Sequence, residues 1–264
     1  MATRKQDLDA GFQIMHITIK ATGKGHRSDR WIFNDHDKIA LMEKLRRFLR
    51  VFTPCKLLGI TIMSNHAHFI LKIPRDFKTT RKLVAAHYLQ CYGKKLHPNC
   101  HMIRKLMTEL NSISCLMQRF LWHFSTTFNH NKSFKRTGHL WESKFHNTNI
   151  GDAKSLLKCW TYVIFNPVKA NMMNEPLEYK FNSMTYNDPT FQQEVMHNLF
   201  ETYKELSGRV NLSLKKFEKI LSELIAEEVK KWGIKKEFER EQYREENHFW
   251  DKESSYVDES HFVP

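Results

Sequence analysis

The sequence predicts an α+β fold, an antiparallel sheet with helices packed on one face. Three stretches carry that expectation. From Phe12 to Lys20, Met15, Ile17 and Ile19 alternate with Ile14, His16, Thr18 and Lys20, the period of a half-buried strand. Asn34 or Asp35 can cap a helix running to about Phe52, where Leu41, Leu45, Phe48 and Phe52 form an apolar stripe and Lys44, Arg46, Arg47 and Arg50 stay wet. Pro54 stops it. The runs from Lys56 to Met63 and from His66 to Ile73 flank Ser64-Asn65 and read as a hairpin closed by Pro74. Strand, helix, strand, strand is the opening of such a sandwich, and the face away from the helices is free to hold a site.

The returning strand of that hairpin holds the most chemically pointed residues. Ala67, Phe69, Leu71 and Ile73 make one apolar face, so His66 and His68 point together from the other. Neutral imidazole binds divalent metals, and a strand fixes the separation of two ligands. Two half-exposed histidines on an edge strand would give the same pattern. His16 joins the pair if the first strand is a neighbour.

Two basic loops follow from the same reading. The stretch from Ala21 to Arg30 holds two glycines with Lys24, His26, Arg27 and Arg30, groups able to lie against phosphates. Residues 75–111 read as a helical insertion, with helices over Lys82 to Tyr92 and Ile103 to Leu110. A long helix from about Ser112 to Phe128 carries Ile113, Met117, Phe120, Phe124 and Phe128 at helical spacing. The loop after it interleaves Lys132, Lys135, Arg136, His139, Trp141 and Lys144, cations and rings that suit phosphates and unpaired bases. Lys144 to Ile150 reads as a last strand and Ala153 to Phe165 as a helix ended by Asn166-Pro167. Beyond Pro189 the composition shifts, and Leu212 to Trp232 and Ile234 to Phe249 read as two charged amphipathic helices.

Composition narrows the function classes. The 264 residues are 41% hydrophobic, enough for one full-sized domain with an appendage. No apolar run approaches the roughly 18 residues of a membrane span, and the polar, basic start has no secretory pattern; a soluble, cytoplasmic protein is expected. Five scattered cysteines fit reduced thiols, although Cys91, His97, Cys100 and His101 hold the atom types for zinc at irregular spacing. From Phe191 onward there are 12 Lys and Arg against 16 Asp and Glu, whereas the preceding residues hold 30 against 13. The positive charge therefore travels with the histidine pair, which points to a polyanionic partner, most simply nucleic acid.

Several stretches together resemble the IS200/IS605-like Y1 transposases and, within them, the REP-associated tyrosine transposases. They are His16-Ile17-Thr18, Trp31-Ile32-Phe33, Met63-Ser64-Asn65-His66-Ala67-His68, Phe128-Asn129, Gly138-His139-Leu140-Trp141-Glu142-Ser143-Lys144-Phe145 and Tyr162-Val163-Ile164-Phe165-Asn166-Pro167-Val168-Lys169-Ala170. They stand in the family's order. The resemblance covers roughly residues 12 to 175 and implies the HUH endonuclease fold, a ferredoxin-like palm; the palm is expected within residues 1–190, and the change in composition sets off a helical extension over 191–264. The resemblance further implies that His66 and His68 hold Mg²⁺ or Mn²⁺ beside a phosphate of single-stranded or hairpin DNA, in a homodimer. A helix-borne tyrosine would attack that phosphate, giving a 5′-phosphotyrosine and a free 3′-hydroxyl. Met63, three before His66, is a poor third metal ligand, which leaves His16 as the candidate.

The sequence departs from that pattern at the nucleophile. Five residues before Asn129 stands Phe124, which has no oxygen to attack phosphorus. Three readings stay open: Tyr162 supplies the hydroxyl, a metal-activated water makes the protein a hydrolytic nuclease, or the chain binds DNA or RNA without cutting it.

Overall fold

The computed structural model describes residues 11–22, 32–52, 55–75, 80–109, 112–131, 139–142 and 144–254. Four strands, β1 (Phe12–Lys20), β2 (Lys56–Ile62), β3 (His66–Pro74) and β4 (His146–Ile150), form one sheet in the order β2-β3-β1-β4. Every pairing is antiparallel. With α1 (Asp35–Phe52) between β1 and β2, and α4 (Ile113–Asn131) before β4, this is the β-α-β-β-α-β arrangement of a ferredoxin-like domain.

Sequence alternation decides the two faces of the sheet. Met15, Ile17, Ile19, Ala67, Phe69 and Leu71 enter one apolar core with Leu41, Leu45 and Phe48 of α1 and Phe120, Phe124 and Phe128 of α4. Asn34 starts α1 as a reciprocal cap, its Oδ1 accepting from the Asp37 N–H and its own N–H donating to the Asp37 carboxylate. The insertion is part of this core. Helices α2 (Arg81–Tyr92) and α3 (His101–Glu109) sink Val84, Ala85, Ile103 and Leu106 into it. Thr80 caps the start of α2, and Gly93, at φ 66°, takes the left-handed turn that ends it.

A helix also lies on the second face. Asp152 caps α5 (Ala153–Ile164), accepting from the Ser155 N–H, and Pro167 sits in the first turn of the short α6 (Asn166–Lys169) that follows. Trp160 of α5 lies directly over Gly59 of β2, where an added Cβ would stand 3.0 Å from its Cδ1. Gly59 is paired with Ile70 and Ile70 with His16, so α5 shares the face of the histidines. It packs on β2 and, less extensively, on β3.

The outer edge of β2 is closed by a segment without a strand of its own. Ile62 donates to the Phe181 carbonyl and Ser183 to the Ile60 carbonyl, and the Tyr179 hydroxyl donates to the Ile62 carbonyl at 2.6 Å. Helix α7 (Pro189–Ser207) then lies along β2, sinking Phe191 and Val195 into the core, with the Arg46 guanidinium 4.4 Å from the Phe191 ring centre. The chain divides into two compact units, residues 1–212 and 213–264. Helix α7, which the change in composition at Pro189 grouped with the extension, therefore belongs to the first unit. The second holds one continuous helix, α8 (Leu214–Ser254), where the sequence suggests two; Gly233 does not break it. Among the described residues no helix is long and apolar enough to cross a membrane.

Candidate functional site

The polar face of the sheet gathers the residues that the sequence singles out. Strand register sets His16 beside Ile70, Thr18 beside His68 and Lys20 beside His66, so the three imidazoles occupy successive rows of β1 and β3. The hairpin tip is held by other segments: Met63 donates to the His66 carbonyl, Ala21 to the Asn65 carbonyl, and both Ile32 and Phe33 to the Ser64 carbonyl. Every one of these bonds fixes the strand start from which His66 projects.

The rings face one another. His16 and His68 stack with centroids 5.2 Å apart, and His66 meets His68 edge-on at 5.0 Å. His68 Nδ1 lies 3.1 Å from His16 Nε2 and 3.0 Å from Thr18 Oγ1. His66 Nδ1 is 2.6 Å from Asn65 Oδ1, and its Nε2 is 3.1 Å from Asn166 Oδ1 at the start of α6. Tyr162 of α5 closes the group, its ring 5.4 Å from His68 and 5.8 Å from His16, with the Lys169 ammonium 4.3 Å from its centre. Tyr162 is 40% exposed and His68 only 6%, so the phenol forms the accessible rim and His68 the floor.

Electrostatics keeps the rings neutral. Burial pushes His68 down to about 3, and the neighbouring His66, His16 and Lys169 add to the effect. Burial also lowers His16. It lowers His66 as well, opposed by the hydrogen bond with Asn166 and aided by Lys20. A neutral imidazole has one N–H and one lone pair. When His66 donates from Nδ1 to Asn65, its Nε2 lone pair is turned toward the oxygen of Asn166. When His68 donates from Nδ1 to Thr18 or His16, its Nε2 is likewise left as an acceptor. Both rings then have the tautomer that a metal ligand uses. Among the described residues no three His, Cys, Asp or Glu side chains are grouped so as to hold a metal ion.

Phe124 stands apart from this group. It is 2% exposed and packs against Phe33, Phe128 and Trp141 in the core beneath the opposite sheet face. Trp141 is used the same way, its indole N–H donating to the Leu121 carbonyl, and its backbone forms a bridge with Ala21. His139 and Lys144 are exposed. Lys24, His26, Arg27, Arg30, Lys132, Lys135 and Arg136 lie outside the described residues, as does the side chain of Cys91 in the four-residue Cys/His group. Sequence reasoning missed Thr18, Asn166 and Lys169 as members of the site. Their signals were the alternation of β1, the Asn-Pro step that ends α5, and their places within two of the resembling stretches, His16-Ile17-Thr18 and Tyr162 to Ala170.

No family model matches the chain, and no curated protein does. Among solved structures, it is similar to that of a REP-associated tyrosine transposase bound to a REP hairpin. That alignment has a TM-score of 0.41 and 14% identity, covering 75% of this chain and 88% of the other.

Proposed function

We propose that this protein binds single-stranded or hairpin DNA across the histidine face of its sheet and cleaves it with Tyr162 as nucleophile. The observation that carries the reading is the meeting of Tyr162, His16, His66 and His68 on one face of the sheet, with Tyr162 at its exposed rim. The positive charge of the same part of the chain supports a polyanionic ligand.

The donor set fits a divalent cation such as Mg²⁺ or Mn²⁺. A lone pair of His66 directed at an amide oxygen 3.1 Å away is an arrangement that a cation between them, or a turned Asn166 amide, relieves. In this reading His66 and His68 would hold the ion, with Asn166 as a further oxygen ligand. His16 and Thr18 orient His68 from behind. When bound, the cation polarises a phosphoryl oxygen.

The chain's own residues do the rest. Lys20, paired with the Glu142 carboxylate, and Lys169, over the Tyr162 ring, stand near the histidines and attract the phosphate, and the exposed Tyr162 supplies the hydroxyl. Attack by the phenol oxygen forms an O–P bond and breaks the P–O bond to the 3′ oxygen; the proton lost by the phenol is balanced by the one the 3′ oxygen takes up as it leaves as a hydroxyl. The products are a 5′-phosphotyrosine and a free 3′ end.

A labelled hairpin oligonucleotide with single-stranded flanks, incubated with Mn²⁺, tests this. The expected product is a covalent adduct that survives denaturation and is absent from a Tyr162→Phe variant. Cleaved ends without adduct would instead mean hydrolysis, and binding without either product would mean a non-catalytic module for DNA or RNA. A His66→Ala/His68→Ala variant is expected to lose the Mn²⁺-dependent product and keep most of the salt-sensitive binding, because phosphate contacts come from Lys and Arg.

A further inference from the structure

The α2–α3 insertion carries a surface that the histidine site does not use. No Asp or Glu occurs between Asp76 and Glu109, whereas Arg81, Lys82, Lys94, Lys95, Arg104 and Lys105 fall within that stretch. All six are exposed. Solvation alone does not call for one sign of charge, since other helices of this chain interleave the two, as in Lys38 with Asp35, Arg46 with Glu43 and Lys231 with Glu227. The Arg81 Nη1 donates to Asn99 Oδ1 at 3.2 Å, which ties the start of α2 to the turn before α3. The start of α2, with Arg81 and Lys82, is thereby held near the start of α3, the helix that carries Arg104 and Lys105. Beneath them Val84, Ile103 and Leu106 are fully buried, so the cations project from a fixed platform.

We propose that this platform is a second nucleic-acid contact, one that grips the phosphate backbone of a duplex through Arg81, Lys82, Arg104 and Lys105. The inference rests on the proposed function and extends it. Single strands are held by aromatic rings on which bases stack. The tyrosines of this insertion, Tyr88 and Tyr92, are turned inward against the core, with Tyr92 packed on Phe48 and His123. A surface that offers cations and no outward-facing Tyr, Phe or Trp suits a duplex, whose bases are already stacked inside and which presents phosphates outward.

Fluorescence anisotropy with a duplex and a single strand of the same length, over a salt series, tests the assignment. For an Arg81→Gln/Lys82→Gln/Arg104→Gln/Lys105→Gln variant, the slope of log K against log salt on the duplex is expected to fall by up to about 3.6, or about 0.9 per cation. Single-strand binding is expected to match the parent. An Arg81→Lys/Arg104→Lys variant, which keeps the charge, should bind duplex as the parent does. A parental slope in the quadruple variant, or equal losses on both ligands, would overturn the inference. A parent chain that binds single strand and not duplex would overturn it and leave the proposed function standing; one that binds neither would overturn both.

Discussion

Phe124 shows how a single position can look like a lost function and be a packing residue. Its ring touches Phe33, Phe128 and Trp141 under the apolar sheet face, while the imidazoles project from the opposite face. A hydroxyl added there would be buried among rings. Phe124→Tyr is therefore expected to cost about 1–3 kcal/mol of stability, measured by urea unfolding, and to create no covalent DNA adduct; an adduct in Phe124→Tyr that persists with Tyr162→Phe would sink the assignment of Tyr162. His68 offers a second test. It takes up a proton near pH 6.5 in the unfolded chain and near 3 in the fold, so across that window the unfolded state holds more protons and stability falls as the pH drops. Above about 6.5 the contribution is constant. Burial of His16 and His66 acts in the same direction. Urea unfolding in chelator between pH 7 and pH 4 should show a slope of the order of 1.4 kcal/mol per unit from His68 that is shallower in His68→Gln, and parallel curves would refute it. The histidine pair was legible because alternation within one strand fixes direction. Asn166 was not, because its contact with His66 spans 100 residues of sequence and depends on where α5 lands.

Helix α5 is the element that turns a strand motif into a site, and its position is set by one glycine. Gly59 lets Trp160 lie against β2, and Tyr162 and Asn166 follow from the turns beyond it. A methyl at 59 would meet Trp160 Cδ1 at 3.0 Å and Nε1 at 3.4 Å, closer than van der Waals packing allows without movement. Gly59→Ala should cost about 1–3 kcal/mol and shift α5, changing the environment of Tyr162; unchanged stability together with an unchanged Tyr162 NMR signal would show that α5 is not seated there. The strands and core helices were legible from sequence because their periodicity is strong: β1 runs from Phe12 to Lys20 as its alternation predicts, and α1 ends at Phe52. What periodicity did not convey was partnership. Residues 75–111 read as an insertion because their helical pattern is irregular, and Val84, Ile103 and Leu106 of that insertion join the common core. Helix α8 runs through Gly233 because a helical glycine costs only about 1 kcal/mol, less than the neighbouring turns hold.

At the scale of the whole chain, charge and architecture divide at the same place. Residues 213–264 carry ten Lys and Arg against thirteen Asp and Glu, a net of −3, which leaves +16 on the first 212. That first unit also contains the entire sheet, the three imidazoles, Tyr162 and the basic insertion. A polyanion approaching the protein is attracted by one unit and weakly repelled by the other. A chain ending at Leu212 should therefore fold, keep the parent's DNA binding, and bind a few-fold more tightly at low salt. That gain should fade as salt rises and the Debye length falls from about 10 Å at 0.1 M toward 3 Å at 1 M. Circular dichroism and anisotropy of the shortened chain check both parts. Loss of folding would mean that the first unit depends on α8. Retained folding with binding lost at every salt concentration would move the DNA contact into the C-terminal helix, and the sheet face would lose its place as the principal nucleic-acid surface.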